Sequence, residues 1–292
     1  MAKLLTGGPV AEALTQVFLE KTGALRREGI IPTLALVRLG ENAADLSYER
    51  GAKKRCEAAG VQVRQVTLEE STTRQQLEQV LEQLNRDDTV HGVLLFRPLP
   101  AHLQKDQQAI CDKLDPQKDV DGMTSLSAAG VFTGQPIGFA PCTPAACLEL
   151  MAHYGIEPAG KNIALIGRSL VVGRPLAMLL TAKNATVTLC HTRTRDTARI
   201  CREADVIITA AGKLKSLTRE YVKPGQTVID VSINFDPQKV NAKGGLGALA
   251  GDADLDAVSD ILEAITPVPG GVGAVTSAVL VKHTVEAAEK IR

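Results

Sequence analysis

The sequence predicts an α/β protein of two α/β domains, the second a Rossmann-type, doubly wound parallel sheet. Three observations lead there: 292 residues with 45% apolar side chains, apolar strands alternating with amphipathic helices in both halves, and a proline-bearing break around residue 140. A single core stops growing at roughly 250–300 residues, so this length favours two.

Each element follows from its pattern. Pro9 suits a first helical residue, and Val10, Leu14, Val17, Phe18 and Leu25 then mark one face of a long helix ending near Gly29. Thr33–Leu39 is a compact apolar strand. Residues 42–59 read as a helix closed by Gly60, with a strand over 61–66. Leu77, Val80, Leu81 and Leu84 stand at helical spacing, and the next strand covers 90–96. Parallel strands joined by helices of this length need crossovers, which makes the first half an α/β layer.

The stretch Phe139-Ala140-Pro141-Cys142-Thr143-Pro144 breaks the rhythm, its two prolines disfavouring helix through residue 143. The boundary is placed there, with residues 1–140 as the first domain and 141–276 as the second. From Lys161 the alternation resumes: strand Asn162–Ile166, a glycine-bearing turn, a helix through Leu180, strand Thr186–Cys190, and strands over 205–209 and 227–231. A last helix over 277–292 is expected to return to the first domain.

Composition narrows the function. Thirty-three basic residues balance 33 acidic ones, so no global field draws the chain to nucleic acid or an anionic membrane, and a small-molecule partner is favoured. The six cysteines form no C-x-x-C pair and read as reduced, mostly buried thiols, with no metal site. No apolar run approaches the roughly 18 residues of a membrane helix, and the first residues turn too early for a signal peptide. A soluble cytoplasmic protein is expected.

Gly167-Arg168-Ser169-Leu170-Val171-Val172-Gly173 lies between a buried strand and a helix at Arg174-Pro175, where free backbone N–H groups suit a pyrophosphate. The pattern is G-x-S-x-x-x-G, and a tight turn without any ligand is its alternative; the flanking strand and helix and a second βαβ unit favour the cofactor. An acid at the next strand tip would bind the ribose 2′-hydroxyl of NAD. The tip instead reads His191-Thr192-Arg193-Thr194-Arg195, which with Arg168 suits the 2′-phosphate of NADP, unless these arginines merely solvate a loop.

These residues, with Lys118-Asp119-Val120-Asp121-Gly122, Pro141-Cys142-Thr143-Pro144, Ile229-Asp230-Val231 before Asn234, Gly251-Asp252, and Thr266-Pro267-Val268-Pro269-Gly270-Gly271-Val272-Gly273, resemble the bifunctional methylenetetrahydrofolate dehydrogenase/cyclohydrolase family over nearly the whole chain. The resemblance implies a folate cleft between the domains. Asp121 would accept hydrogen bonds from the pterin's amino edge, Tyr48 would stand beside the reacting carbon, and Leu95, Arg97, Pro267, Gly270 and Gly271 would line the substrate site. On the residues alone, the lesser alternative for Asp121 is a turn residue. NADP would be held by Gly167, Arg168, Ser169, Val172, Gly173, His191, Thr192, Arg193, Ala211, Gly212 and Ile233. A homodimer through the cofactor domains is also implied.

The chain departs from the family where acid–base chemistry is expected. The family's Y-V-x-x-K segment reads Tyr48-Glu49-Arg50-Gly51-Ala52, and its V-Q-L-P-L-P segment reads Leu95-Phe96-Arg97-Pro98-Leu99-Pro100, so Ala52 and Phe96 stand at the lysine and glutamine positions. Lys53 is turned about 140° from Tyr48 on an ideal helix and does not replace the lysine. Ser232 replaces a glycine, and Ala274-Val275 a Pro-Met pair. Hydride transfer chiefly needs the two rings held together, whereas hydrolysis of the methenyl cation needs proton transfer, for which a positioned group contributes about 10²–10⁴-fold. The expectation is an NADP-dependent methylenetetrahydrofolate dehydrogenase with weak or lost cyclohydrolase activity. Its alternatives are a divergent NADP-binding paralogue with another substrate and a non-catalytic binding subunit.

Overall fold

The computed structural model of the chain describes residues 1–240 and 244–290. The first half runs β1 (Lys3–Leu4), α1 (Gly7–Arg27), β2 (Thr33–Leu39), α2 (Ala43–Ala58), β3 (Gln62–Leu68), α3 (Arg74–Arg86), β4 (Gly92–Leu95), α4 (Gln107–Cys111) and α5 (Ser125–Thr133). The second half runs α6 (Cys142–His153), β5 (Asn162–Ile166), α7 (Gly173–Ala182), β6 (Thr186–Cys190), α8 (Thr197–Glu203), β7 (Val206–Thr209) and β8 (Thr227–Asp230). It closes with β9 (Asn234–Val240), β10 (Leu246–Ala250), α9 (Leu255–Val258), β11 (Ala264–Ile265) and α10 (Thr276–Lys290). No helix among the described residues is long and apolar enough to cross a membrane.

The chain forms two compact units, one of Glu12–Cys142 with the C-terminal segment from Ser277, the other of Met1–Ala11 with Thr143–Thr276. In the first, β2 pairs in parallel with β3 on one side and β4 on the other. Every residue of β2 is buried, and Leu34–Val37 supply the apolar run expected of a central parallel strand. Leu77, Leu81 and Leu84 of α3 pack with Val37, Val93, Leu95 and Leu114 in one core. Asn42 caps α2, its side chain accepting from the Ala44 N–H at 2.8 Å, and Thr73 and Gln76 form a capping box on α3.

The second unit holds a six-stranded parallel sheet in the order β1-β11-β8-β7-β5-β6. The chain enters at β5, lays β6 on one side and then β7 and β8 on the other, so the order reverses beside β5. That reversal is the doubly wound signature, and ligands bind at the carboxyl ends of the strands flanking it.

Two expectations are corrected, on the first residues and on the start of α6. Residues 1–11 were assigned to the first domain, yet Lys3 and Leu4 pair in parallel with Ala264 and Ile265 and complete the second unit's sheet. Helix α6 begins at Cys142, because Pro144 falls in the first turn, where its missing N–H has no helical partner to lose. The final helix covers Thr276–Lys290, and residues 291–292 lie outside the described residues. The antiparallel β9–β10 hairpin was not anticipated.

Candidate active site

Helix α2 presents Tyr48, 38% exposed, while Ala52 one turn later is buried at 1%. The Phe96 ring meets Tyr48 edge-on, centroids 6.1 Å apart and planes at 83°. Tyr48 and Phe96, distant in sequence, are thus brought together. Lys53 points elsewhere: its Nζ lies 3.1 Å from Glu49 Oε1. Glu49 is itself buried, accepting from Arg38 Nε at 2.9 Å and from the Gln65 amide. Burial alone would raise the Glu49 carboxyl, but Arg38 and Lys53 overturn that and hold it low. Leu95 is a correction. Its side chain is 1% exposed within the core, so only its backbone is left to face a ligand.

Arg97 and Asp121 form an ion pair, Nη2 to Oδ2 at 2.8 Å, with side chains 21% and 20% exposed. Burial pushes the Asp121 carboxyl up; Arg97 opposes it, Asp119 adds to it, and a hydrogen bond with the Cys142 thiol lowers it. The turn that carries Asp121 is held by its neighbours. Asp119, fully buried, accepts from the Met123 N–H at 2.9 Å, the Thr124 N–H at 2.8 Å and the Ser127 hydroxyl at 2.6 Å. Lys118 Nζ donates to the carbonyls of Leu84, Asn85 and Asp87, closing the end of α3. His283 of α10 donates from Nδ1 to the Val120 carbonyl at 2.9 Å, to which the Cys142 thiol also donates at 3.3 Å. Gly122 has φ +62°, and a Cβ there would come within 2.5 Å of the Pro141 nitrogen. Asp119, rather than Asp121, is therefore the turn-forming acid.

In the second unit Ile166 of β5 lies opposite Cys190 of β6, and the Gly167 N–H donates to the Cys190 carbonyl at 2.9 Å. The Gly167–Gly173 loop and the His191–Arg193 loop therefore leave adjacent strand ends. Arg168, Thr192 and Arg193 are all exposed there. Gly173 must lack a side chain because a Cβ would strike the Gly167 carbonyl. The expectation of free N–H groups at the start of α7 is corrected: the Ser169 hydroxyl accepts from Val172 at 3.0 Å and Gly173 at 3.4 Å, its carbonyl accepts from Arg174, Pro175 has no N–H, and Leu176 donates to the Val172 carbonyl.

Two glycines expected to admit a ligand have other reasons. Gly270 adopts φ +98°, and a Cβ on Gly271 would lie 2.5 Å from the Pro267 carbonyl oxygen, so the loop needs both for its own path. Ile233, 60% exposed, stands beside this loop, its Cδ1 3.3 Å from where a Gly273 Cβ would be.

Asp252 was legible only as part of a motif. Buried and at the centre of the cofactor-side loops, its Oδ2 accepts from Thr209 Oγ1 (2.9 Å), the Ala211 N–H (2.7 Å), the Gly212 N–H (3.2 Å) and Ser232 Oγ (2.8 Å). Its Oδ1 accepts from the Lys213 N–H (2.7 Å) and Asn234 Nδ2 (3.0 Å). Ser232, the departure from glycine, also accepts from the Gly212 N–H at 3.1 Å. One carboxylate thus sets the backbone of Ala211 and Gly212. Beside it Asp230 is pushed up to about 7, chiefly by burial, against the hydrogen bond it accepts from the Ala253 N–H and with the Asp252 charge raising it further.

A parallel sheet reversing beside a glycine loop, in a chain with a second α/β unit, defines a two-domain α/β protein with a Rossmann-type dinucleotide-binding domain. Family models agree: residues 5–121 match the catalytic domain of tetrahydrofolate dehydrogenase/cyclohydrolase, and residues 141–292 match its NAD(P)-binding domain. A bifunctional protein FolD of Carboxydothermus hydrogenoformans is 45% identical over 289 residues, covering 99% of this chain and 98% of that one. The FolD methylenetetrahydrofolate dehydrogenase/cyclohydrolase of Campylobacter jejuni superposes with a TM-score of 0.91 at 37% identity, covering 99% of each chain. The Trypanosoma brucei enzyme, solved with NADP cofactor and inhibitor, gives 0.90 at 32%, covering 99% of this chain and 98% of that one. The chain belongs to the tetrahydrofolate dehydrogenase/cyclohydrolase family.

Proposed function

We propose that the chain is an NADP-dependent 5,10-methylenetetrahydrofolate dehydrogenase whose methenyl-hydrolysing activity is weak or lost. The observation that carries this reading is an intact dinucleotide loop in the same chain as Ala52 on α2 and Phe96 just after β4, the two residues that fill the acid–base positions. Its curated relatives are named for both activities; this reading keeps the first and departs from them on the second.

The residues fit NADP. Arg168, Thr192 and Arg193 offer guanidinium and hydroxyl donors at adjacent strand ends, with no acid among residues 191–195 to repel a 2′-phosphate. Gly167, Ser169, Val172, Gly173, His191, Ala211, Gly212 and Ile233 complete the binding set. NADP, when bound, supplies the hydride acceptor. On the substrate side Asp121 holds the pterin and Tyr48 stands beside the methylene carbon, with Arg97 paired to Asp121. The methylene bridge loses a hydride and becomes the methenyl cation, a step that positioning alone supports. Hydrolysis then requires a proton carrier that neither alanine nor phenylalanine provides.

A homodimer through the cofactor-binding unit belongs to the same reading, supported by the exposed Phe235, Val240 and Leu246 on the β9–β10 hairpin. The deciding experiment measures NADP reduction and methenyltetrahydrofolate hydrolysis on one purified sample. Reduction with near-background hydrolysis is expected; no turnover of methylenetetrahydrofolate would refute the assignment.

A further inference from the structure

We propose that Arg97 and Asp121 read the pterin edge as a unit, Arg97 donating to the 4-oxo group while Asp121 accepts from the neighbouring ring N–H and 2-amino group. The pair would thereby select 4-oxo over 4-amino pteridines. This deepens the folate reading above and rests on it.

The argument is one of complementary donors and acceptors. A 4-oxopterin presents in a row an amino donor, a ring N–H donor and a carbonyl acceptor. A carboxylate matches the two donors but repels the carbonyl oxygen, and a leucine side chain, as in the family segment, offers it no donor. Here Arg97 stands at that position, 2.8 Å from Asp121, and supplies the missing donor. Their contact joins one guanidinium nitrogen to one carboxylate oxygen, whereas a guanidinium has five N–H donors and a carboxylate about four acceptor sites. Both groups can therefore bind a ligand without parting.

Each side of the pair is held in place. After Arg97 the chain is fixed at Leu99, whose N–H donates to Gln107 Oε1 at 2.9 Å and whose carbonyl accepts from Gln104 Nε2 at 3.2 Å. Asp121 sits on the turn anchored by Lys118, Asp119 and His283. A 4-amino pteridine replaces the carbonyl with a donor facing Arg97 and lacks the ring N–H in its neutral form. Two matches become two mismatches, and specificity follows from the repulsive contact as much as from the attractive one.

Calorimetric titration of the full-length protein with tetrahydrofolate and with its 4-amino-4-deoxy counterpart tests this. Wild type should favour the 4-oxo compound by about ten-fold or more, the scale of one charge-assisted hydrogen bond. Arg97→Leu should weaken the 4-oxo compound by a similar factor and leave the 4-amino compound unchanged or tighter. Arg97→Lys, which keeps charge and size, should give an intermediate ratio and decides the matter if the leucine variant melts early. Equal wild-type affinities, or a variant that shifts both compounds alike, would overturn the role of Arg97. Binding of neither compound to wild type would instead refute the folate reading itself.

Discussion

The Phe96 ring closes edge-on against Tyr48, 6.1 Å between centroids, with their planes at 83°. Such a pair contributes ~0.5–1.5 kcal/mol beyond its burial but no proton donor or acceptor from the phenylalanine. Wild-type hydrolysis of methenyltetrahydrofolate should stay near the uncatalysed rate while NADP reduction is measurable. Ala52→Lys alone places a long side chain where only 1% of the residue is exposed, and should cost about 1–3 kcal/mol. Combined with Phe96→Gln it gains both space and a partner, so the double variant should raise hydrolysis by more than the product of the single effects. Wild-type hydrolysis well above background would assign the step to another group.

On the proposed reading Arg168 is expected to govern nucleotide choice. Arg168→Ala should lower kcat/KM for NADP at least ten-fold and leave that for NAD nearly unchanged, since only the former carries the 2′-phosphate. Equal use of the two nucleotides by wild type would remove the basis for this assignment.

Asp252 should matter more for the cofactor than for folate. An asparagine there turns an N–H donor toward backbone N–H groups that cannot rotate away, so Asp252→Asn should raise KM for NADP and destabilise the fold by about 2–4 kcal/mol. Ser232→Gly, which removes one hydroxyl from the same cluster, should cost about 1 kcal/mol or less. Thermal melts and saturation kinetics with NADP check both; an unchanged KM in the asparagine variant would show that the Ala211–Gly212 loop does not depend on this carboxylate.

His283 gives the fold a pH dependence of predictable sign. Burial, with the Lys282 and Lys290 charges, pushes its imidazole down to about 4, although its hydrogen bond with the Val120 carbonyl opposes the shift. Above the ordinary value near 6.5 both folded and unfolded forms are neutral; as pH falls from there toward 4 only the unfolded chain takes up the proton, so stability is lost. His283→Gln keeps a donor for Val120 without titrating. Between pH 7 and pH 4.5 its Tm should fall less than that of wild type, by an amount equivalent to at most ~3 kcal/mol. Parallel curves for the two proteins would contradict this.

Period and punctuation made most of the fold legible. The apolar run of β2 and the spacing of Leu77, Leu81 and Leu84 each dictate one element, because burial is what those patterns express. Strand β1 is two residues long and defined only by its partner Ala264–Ile265, so no local pattern announces it. The β9–β10 hairpin escaped for another reason: a proline at residue 237 and charged neighbours argue against a strand, and the pair exists through cross-strand contacts. Among site residues, Tyr48, Phe96, Arg97 and Asp121 could be named from the family resemblance, but that Arg97 bridges to Asp121 could not, since the two lie 24 residues apart. Asp252 gave a motif without a role, because a hub of six hydrogen bonds is a property of the loops gathered around it.

The turn bearing Asp121 is fastened from three directions, by Lys118 to the end of α3, by Asp119 to the start of α5 and by Val120 to His283 of α10. In evolutionary terms it is a fixed post: nearly every substitution within it loosens a helix before it alters a ligand. The side chains of Phe96 and Arg97 instead meet Tyr48 and Asp121, residues of the same candidate site. Divergence toward a new substrate would therefore begin on that segment.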